Sequence, residues 1–114
     1  QNLIILGHSN CGGVAYSYKT FLDKKNINDF EYINQWVSCL QKSYKNIPND
    51  FSESEKITFF EQENIKQSIK NLREYDFIDK LINENMLNVI GLWYQINSGL
   101  IKFLDYNNTF IDLD

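Results

Sequence analysis

Hydrophobic residues at the start of the chain predict a buried strand. Residues 3–6 are apolar without interruption and Gly7 follows them, a pattern typical of a strand buried on both faces of a parallel sheet. Gly12 and Gly13 come next, and glycines allow the backbone to pass close to a neighbouring segment or a ligand. A helix over residues 14–21 is predicted behind them. The segment therefore indicates a strand, a sharp turn and a helix.

The middle of the chain carries apolar residues at helical spacing. Residues 24–29 are polar and predict a loop, and the stripe that follows ends before residues 46–50. Its members are Ile33, Trp36, Val37, Leu40 and Tyr44. Ser52 and Glu55 have the form of a capping box, which opens a helix with a second stripe. This second stripe is formed by Ile57, Phe60, Ile65, Ile69 and Leu72.

The last third of the chain returns to strand patterns. The pattern breaks at residues 75–77, and a short helix with Ile78, Leu81 and Ile82 is predicted after the bend. Residues 87–96 are rich in β-branched and aromatic residues, and a glycine-containing turn separates them from residues 100–104. A polar tail is predicted after that. The order predicts an α/β fold, a partial parallel sheet with helical crossovers and an added C-terminal antiparallel strand.

Composition and charge limit the classes of binding partner that the chain is expected to have. The chain has 114 residues and a net charge of -4 without a basic cluster, so nucleic acid is not an expected partner. No apolar run approaches the roughly 20 residues that cross a bilayer, so no membrane association is expected. Cys11 and Cys39 are too few for a disulfide framework, and we expect a soluble, cytoplasmic protein. Because the chain enters an apolar strand two residues after Gln1, we expect residues 1–114 to be a single partial domain.

The turn after the first strand resembles a serine nucleophile elbow in part. Gly7, Ser9 and the residues around them match the start of G-x-S-x-G, but Cys11 stands where the last glycine belongs. The catalytic triad also needs a histidine after the serine, and His8 is the single histidine of the chain. A serine hydrolase is therefore the weaker alternative.

The same turn has the spacing of half a zinc site. Imidazole and thiolate both bind zinc, and a His-x-x-Cys spacing lets His8 and Cys11 reach one ion. Zinc takes four ligands, so two ligands are not a complete site. On spacing alone, ordinary structural roles for both residues stay open. Ser9 and Asn10 are predicted to shape the turn.

Three segments in chain order carry a family resemblance. The first is GHSNCGGV at residues 7–14, the second EQENIKQSIKNL at residues 61–72 and the third LNVIGLWYQINSGL at residues 87–100. Together they resemble the β-class carbonic anhydrases, and residues 21–52 carry no part of the resemblance. Ile90 stands where that family commonly has histidine, and the aromatic of Leu92-Trp93 is shifted by one position. The family's C-x-D-S-R motif is absent from the chain.

The resemblance implies a function and a site. His8 and Cys11 would bind Zn²⁺ with a cysteine of an upstream C-x-D-S-R motif, and Gly12 and Gly13 would shape the turn near the metal. Zinc lowers the pKa of bound water to about 7, and the implied reaction is the reversible hydration of carbon dioxide to bicarbonate. The catalytic aspartate-arginine pair would also lie upstream, so the catalytic residues are unknown and we expect the fragment to be inactive. The complete protein is implied to be a homo-oligomer, a dimer or a tetramer.

Two further functions stay open. A relative that lacks the upstream motif would keep the fold as a non-catalytic assembly or binding module. A relative that keeps zinc could instead hydrolyse carbon disulfide or carbonyl sulfide.

The remaining candidates are interpreted as structural. Cys39 lies beside an apolar stripe and is predicted to be a small buried residue. Trp36 and Trp93 are predicted in the core or in a subunit interface. Glu61 and Glu63 are predicted on a solvated helix face, although the resemblance gives Glu61 a structural hydrogen bond.

Overall fold

The computed structural model describes residues 1–23, 35 and 38–113. Strands β1 to β4 are Asn2–His8, Asn88–Gln95, Leu100–Leu104 and Phe110–Asp112. Helices α1 to α4 are Gly12–Asp23, Gln41–Lys45, Glu53–Leu72 and Asp76–Asn83. The predicted loop at residues 24–29 and the stripe positions Ile33, Trp36 and Val37 lie outside the described residues.

The strands form one mixed sheet in the order β1-β2-β3-β4. β1 and β2 are parallel, with Ile5 opposite Gly91 and His8 opposite Tyr94. β2 and β3 pair antiparallel, as do β3 and β4. The predicted α/β class is therefore confirmed: the segment between the parallel strands contains helices, and an antiparallel strand is added on the C-terminal side.

The long helix α3 packs on one face of the sheet, over a notch made by two glycines. A Cβ atom at Gly7 would lie 2.6 Å from Cδ1 of Ile65, and one at Gly91 would lie 3.1 Å from its Cγ2. Both distances are too short for comfortable van der Waals contact. Ile65 is 2% exposed. The helix can approach the sheet this closely because both strands lack a side chain at the contact.

A second cluster packs α1 and α2 against the first half of α3. Its buried members are Val14, Tyr18, Leu40 and Phe60. The ring of Tyr44 joins it, with centroids 6.0 Å from Tyr18 and 5.9 Å from Phe60 in edge-on geometry. Aromatic pairs in this arrangement contribute about 0.5–1.5 kcal/mol beyond burial of their area. Helix α3 thus contributes Phe60 to this cluster and Ile65 to the contact with the sheet.

The predicted start of α3 agrees with the structure, whereas α1 is longer than predicted and α2 begins only at Gln41. The Ser52 side chain accepts a hydrogen bond from the Glu55 backbone N–H at 3.3 Å, and the Glu55 carboxylate accepts one from the Ser52 backbone N–H at 3.4 Å. This is the predicted capping box at the start of α3. The short helix predicted after a break is confirmed as α4, but the break lies before residue 76, because Asp76 and Phe77 already belong to the helix. No helix in the described ranges is both long and apolar enough to cross a membrane.

The prediction that β1 is buried on both faces is wrong. Exposure alternates along the strand, and the side chains of Ile4 and Leu6 are 53% and 63% exposed. Side chains alternate between the faces of a strand, and α3 packs on the face that carries Gly7. The opposite face of β1 carries apolar side chains into solvent.

Two further predictions are corrected. The residues after β3 are not only a polar tail, because Phe110–Asp112 forms β4, with Phe110 paired to Leu104. The carboxylate of Asp105 shapes the turn between these strands by accepting hydrogen bonds from the backbone N–H groups of Asn107 and Thr109, both at 2.9 Å. Cys39 is exposed rather than buried, since Leu40 beside it takes the place in the core.

Candidate metal centre

His8 and Cys11 flank a two-residue turn at the carboxyl end of β1. His8 is the last residue of the strand, and Cys11 directly precedes the first residue of α1. His8 is exposed and Cys11 is partly buried. Ligand sites of open α/β sheets lie outside the carboxyl ends of parallel strands. The predicted pair therefore occupies the end of the sheet at which binding residues are expected.

The end of β2 holds the turn in place. The backbone N–H of Ser9 donates to the carbonyl of Tyr94 at 2.9 Å, and the Ser9 hydroxyl accepts from the backbone N–H of Ile96 at 2.9 Å. Asn10 has a φ of 54°, a left-handed conformation that asparagine adopts more readily than most residues. The prediction that Ser9 and Asn10 shape the turn is confirmed.

The hydrogen bond of the His8 ring defines which nitrogen is available to a ligand. Nδ1 lies 2.8 Å from the carbonyl oxygen of Ser9. A carbonyl oxygen can only accept, so we assign the proton of the neutral ring to Nδ1. Nε2 then keeps its lone pair. A histidine whose second ring N–H is held by a carbonyl is the usual form of a metal ligand.

The carboxylate of Glu61 is buried behind this turn. The residue is 4% exposed, so its predicted place on a solvated face is wrong. Burial raises the pKa of the Glu61 carboxyl above its ordinary value. The backbone N–H groups of Cys11 and Asn10, the Trp93 indole and His8 all favour the ionised form and oppose part of that rise.

Trp93 lies under the same turn. It is 4% exposed, which confirms its predicted place in the core. The indole lowers the pKa of the nearby Glu61 carboxyl, although its Nε1–H is buried without a hydrogen-bond partner. The helical spacing of Ile57, Glu61 and Ile65, four residues apart, is the signal that places Glu61 on the buried face of α3.

The described residues do not form a complete metal site. Within residues 1–23, 35 and 38–113, no three His, Cys, Asp or Glu side chains are grouped so that they could hold a metal ion. A Cβ atom at Gly12 would meet no protein atom within 4 Å, so the close approach of a neighbouring segment is found at Gly7 instead. The role of Gly12 and Gly13 beside a metal stays a prediction. The contacts of Ser9 described above involve backbone groups and give its hydroxyl no catalytic base.

Comparison with known proteins identifies the family. The structure of the β-carbonic anhydrase CcaA matches 99% of this chain with a TM-score of 0.83 and 20% sequence identity, and 51% of that protein is covered. A family model described as carbonic anhydrase matches residues 1–101. The chain belongs to the β-class carbonic anhydrase family. The predicted resemblance is therefore confirmed.

Other carbonic anhydrases are similar to a comparable extent. The carbonic anhydrase of Helicobacter pylori (strain ATCC 700392 / 26695) is 30% identical over 118 residues, which cover 98% of this chain and 52% of the relative. Beta carbonic anhydrase 3 of Arabidopsis thaliana is 26% identical over 96% of this chain and 44% of the relative. A tetrameric β-carbonic anhydrase of Sordaria macrospora matches with a TM-score of 0.72 and 28% identity, over 90% of this chain and 51% of that protein. The chain thus spans about half the length of these curated relatives.

Proposed function

We propose that the protein to which this chain belongs is a zinc-dependent carbonic anhydrase that hydrates carbon dioxide reversibly to bicarbonate. His8 and Cys11 are two of its zinc ligands. The observation that carries the proposal is the ring of His8, because its Nδ1 is engaged by the Ser9 carbonyl and Nε2 is left for a metal. This ring stands at the carboxyl end of a parallel strand, in a chain of the carbonic anhydrase family.

The donor chemistry of the turn fits zinc. An imidazole nitrogen and a thiolate sulfur are both ligands that zinc accepts in tetrahedral sites. Bound zinc lowers the pKa of a coordinated water to about 7 and so supplies a nucleophile at neutral pH. The remaining protein ligand and the aspartate-arginine pair are proposed to come from a segment outside residues 1–114.

Residues of this chain orient the ligands. The Ser9 carbonyl fixes the rotation and the tautomer of the His8 ring, which must be neutral to bind a metal. The hydrogen bonds from Ser9 to Tyr94 and from Ile96 to Ser9 tie the turn to β2, so the end of β1 does not swing away from the sheet. The partly buried Cys11 is held at the start of α1, where the carbonyl of Cys11 accepts from the N–H of Ala15.

The assembly, the location and the fragment's activity are part of the same proposal. Because the similar Sordaria macrospora enzyme is tetrameric, we propose that the complete protein is a homo-oligomer. We propose weak zinc binding and little carbon dioxide hydration for residues 1–114 alone. Cytoplasmic location stays a prediction.

Zinc content and hydration rate of the complete protein test the proposal. His8→Ala and Cys11→Ser should each abolish stoichiometric zinc and lower the stopped-flow hydration rate of carbon dioxide to background. Cys39→Ser is the matched control, because this thiol is exposed and lies outside the turn. Full zinc and full activity in both turn variants would overturn the proposal.

The same measurements separate the alternatives. A folded oligomer without zinc or hydration activity would be the non-catalytic module. Zinc with hydrolysis of carbon disulfide or carbonyl sulfide, but without hydration of carbon dioxide, would identify a different substrate.

A further inference from the structure

One face of the sheet carries a row of apolar side chains across all four strands. Helix α3 packs on the other face, the one that carries Gly7 and Gly91. Side chains alternate between the faces of a strand, and residues paired across two strands share a face. The register therefore defines an open face, formed by Ile4 and Leu6 of β1, Ile90 and Leu92 of β2, Phe103 of β3 and Ile111 of β4.

The open face is accessible even on the inner strands. Leu92 and Phe103 belong to β2 and β3, which each have a strand on both sides, yet these side chains are only partly buried. Leu6 and Ile111 are 63% and 39% exposed. Trp93, on the other face of β2, is 4% exposed. Sheets with parallel strands normally have both faces covered, so a covering partner is expected for the open face.

The chemistry of the open face favours an uncharged protein surface as the partner. In the described strands, the side chains of Lys and Asp type are Lys102 and Asp112, which pair on the opposite face at 3.8 Å. The open face thus presents no Asp, Glu, Lys or Arg side chain. The chain has a net charge of -4, which opposes attraction to an anionic lipid surface.

The size of the open face fits a weak dimer. The four strands have 7, 8, 5 and 3 residues. With about 3.3 Å per residue and about 4.8 Å between strands, the face measures roughly 360 Å². Two such faces in contact bury on the order of 700 Å², which is below the roughly 1,200–2,000 Å² of a standard stable interface. An association through this face should therefore depend on protein concentration.

We propose that a second copy of this chain packs on the open face, sheet against sheet. A second copy brings the same apolar, uncharged surface, so one two-fold arrangement covers both faces at once. Face-to-face sheets lie about 10 Å apart, and their side chains interdigitate. The inference rests on the homo-oligomer of the proposed function and names the surface that forms it.

Sedimentation equilibrium of residues 1–114 over a range of concentrations tests the proposal. The wild type should behave as a monomer in equilibrium with a dimer. Leu6→Lys and Ile111→Lys should each raise the dissociation constant of the dimer about tenfold or more, because a two-fold contact would bury two ammonium groups against apolar side chains. Both variants should keep the circular dichroism of the wild type, since the two side chains are exposed.

Leu100→Lys is the matched control. Leu100 is 53% exposed and lies on β3, but it shares the face of Lys102 rather than the open face. Its substitution should leave the dissociation constant unchanged. Ile111 lies on β4, at the edge of the described sheet opposite β1. Loss of association in Leu6→Lys together with wild-type association in Ile111→Lys would place the contact at the β1 edge and overturn the proposal.

A measurement on the wild type covers the case in which a lysine variant does not fold. In methyl nuclear magnetic resonance spectra, the signals of Leu6 and Ile111 should shift as the protein concentration rises, whereas those of Leu100 should not. Unchanged signals of Leu6 and Ile111 would overturn the proposal, as would a wild-type chain that stays monomeric at all concentrations.

The complete protein decides between a second copy and a segment outside residues 1–114. Leu6→Lys and Ile111→Lys should release a smaller, folded species in sedimentation. An assembly of unchanged size with a lower free energy of unfolding would show that another segment covers the face, which overturns the proposal. Zinc content and hydration rate test the proposed function separately. A protein that associates through the open face but binds no zinc would contradict the zinc enzyme and still support this interface.

Discussion

Ile65 occupies the space that a side chain at Gly7 would need. A Cβ atom at Gly7 would lie 2.6 Å from Cδ1 and 2.7 Å from Cγ1 of Ile65, so one methyl group added to β1 would push α3 away from the strand. We expect Gly7→Ala to destabilise the chain by about 1–3 kcal/mol, the range for overpacked cores. Urea unfolding monitored by circular dichroism measures this loss.

Gly12→Ala is the control for that substitution. A Cβ atom at Gly12 would meet nothing within 4 Å, and Gly12 is the first residue of α1. Alanine favours helix over glycine, so the free energy of unfolding should stay the same or rise slightly. Equal losses at Gly7 and Gly12 would contradict the notch described for Ile65.

Tyr18 should make the chain sensitive to alkaline pH. Its hydroxyl donates to the Glu53 carboxylate at 2.6 Å, and burial together with this contact raises the pKa of Tyr18 from 10.0 to about 12. The folded state therefore holds this proton more tightly than the unfolded state. The resulting stabilisation is complete below pH 10 and should be lost as the pH rises towards 12. Absorbance at 295 nm should show one tyrosine that titrates near pH 12, and urea midpoints should fall over the same range.

Tyr18→Phe isolates this effect. The variant should lose the late-titrating tyrosine, and its free energy of unfolding should depend less on pH above pH 10. Tyr106→Phe is the matched control, because the Tyr106 side chain is fully exposed at 109%. If Tyr18→Phe still shows a tyrosine that titrates near pH 12, the raised pKa belongs to another tyrosine and the prediction for Tyr18 is wrong.

Features with a local cause could be predicted from the chain. Ser52 and Glu55 form the predicted capping box because both partners lie within one turn. The turn around Gly99, which has a φ of 72°, follows from the conformational freedom of glycine. His8 and Cys11 could be proposed as a pair because three positions and a tight turn separate them.

Features that depend on distant contacts could not be predicted in the same way. The close approach at Gly7 depends on Ile65, which is far along the chain. In the sequence, Glu61 has the features of a surface residue, and only the packing of α3 against the turn shows that it is buried. Strand β4 is too short to be recognised without its pairing with β3. The exposure of Leu6 likewise depends on what packs against the sheet rather than on its own sequence context.

The conformation of Asn10 predicts different effects of two substitutions on the free energy of unfolding. Because its φ is 54°, Asn10→Gly should keep the turn, whereas Asn10→Val should cost about 1–2 kcal/mol since β-branched residues resist this conformation. Thermal unfolding of both variants measures the difference. Identical unfolding of the two variants would contradict the left-handed turn.

The exposed apolar face of β1 should make residues 1–114 self-associate. Ile4 and Leu6 are 53% and 63% exposed, and β1 lies at the edge of the described sheet, so the chain offers an apolar edge strand of the kind that pairs with other chains. Sedimentation should show association that grows with protein concentration, and Leu6→Lys should reduce it while changing the free energy of unfolding by less than about 0.5 kcal/mol. Ile5→Lys, on the face packed by α3, should unfold the chain instead. A wild-type chain that sediments as a monomer at all concentrations would contradict this account of β1.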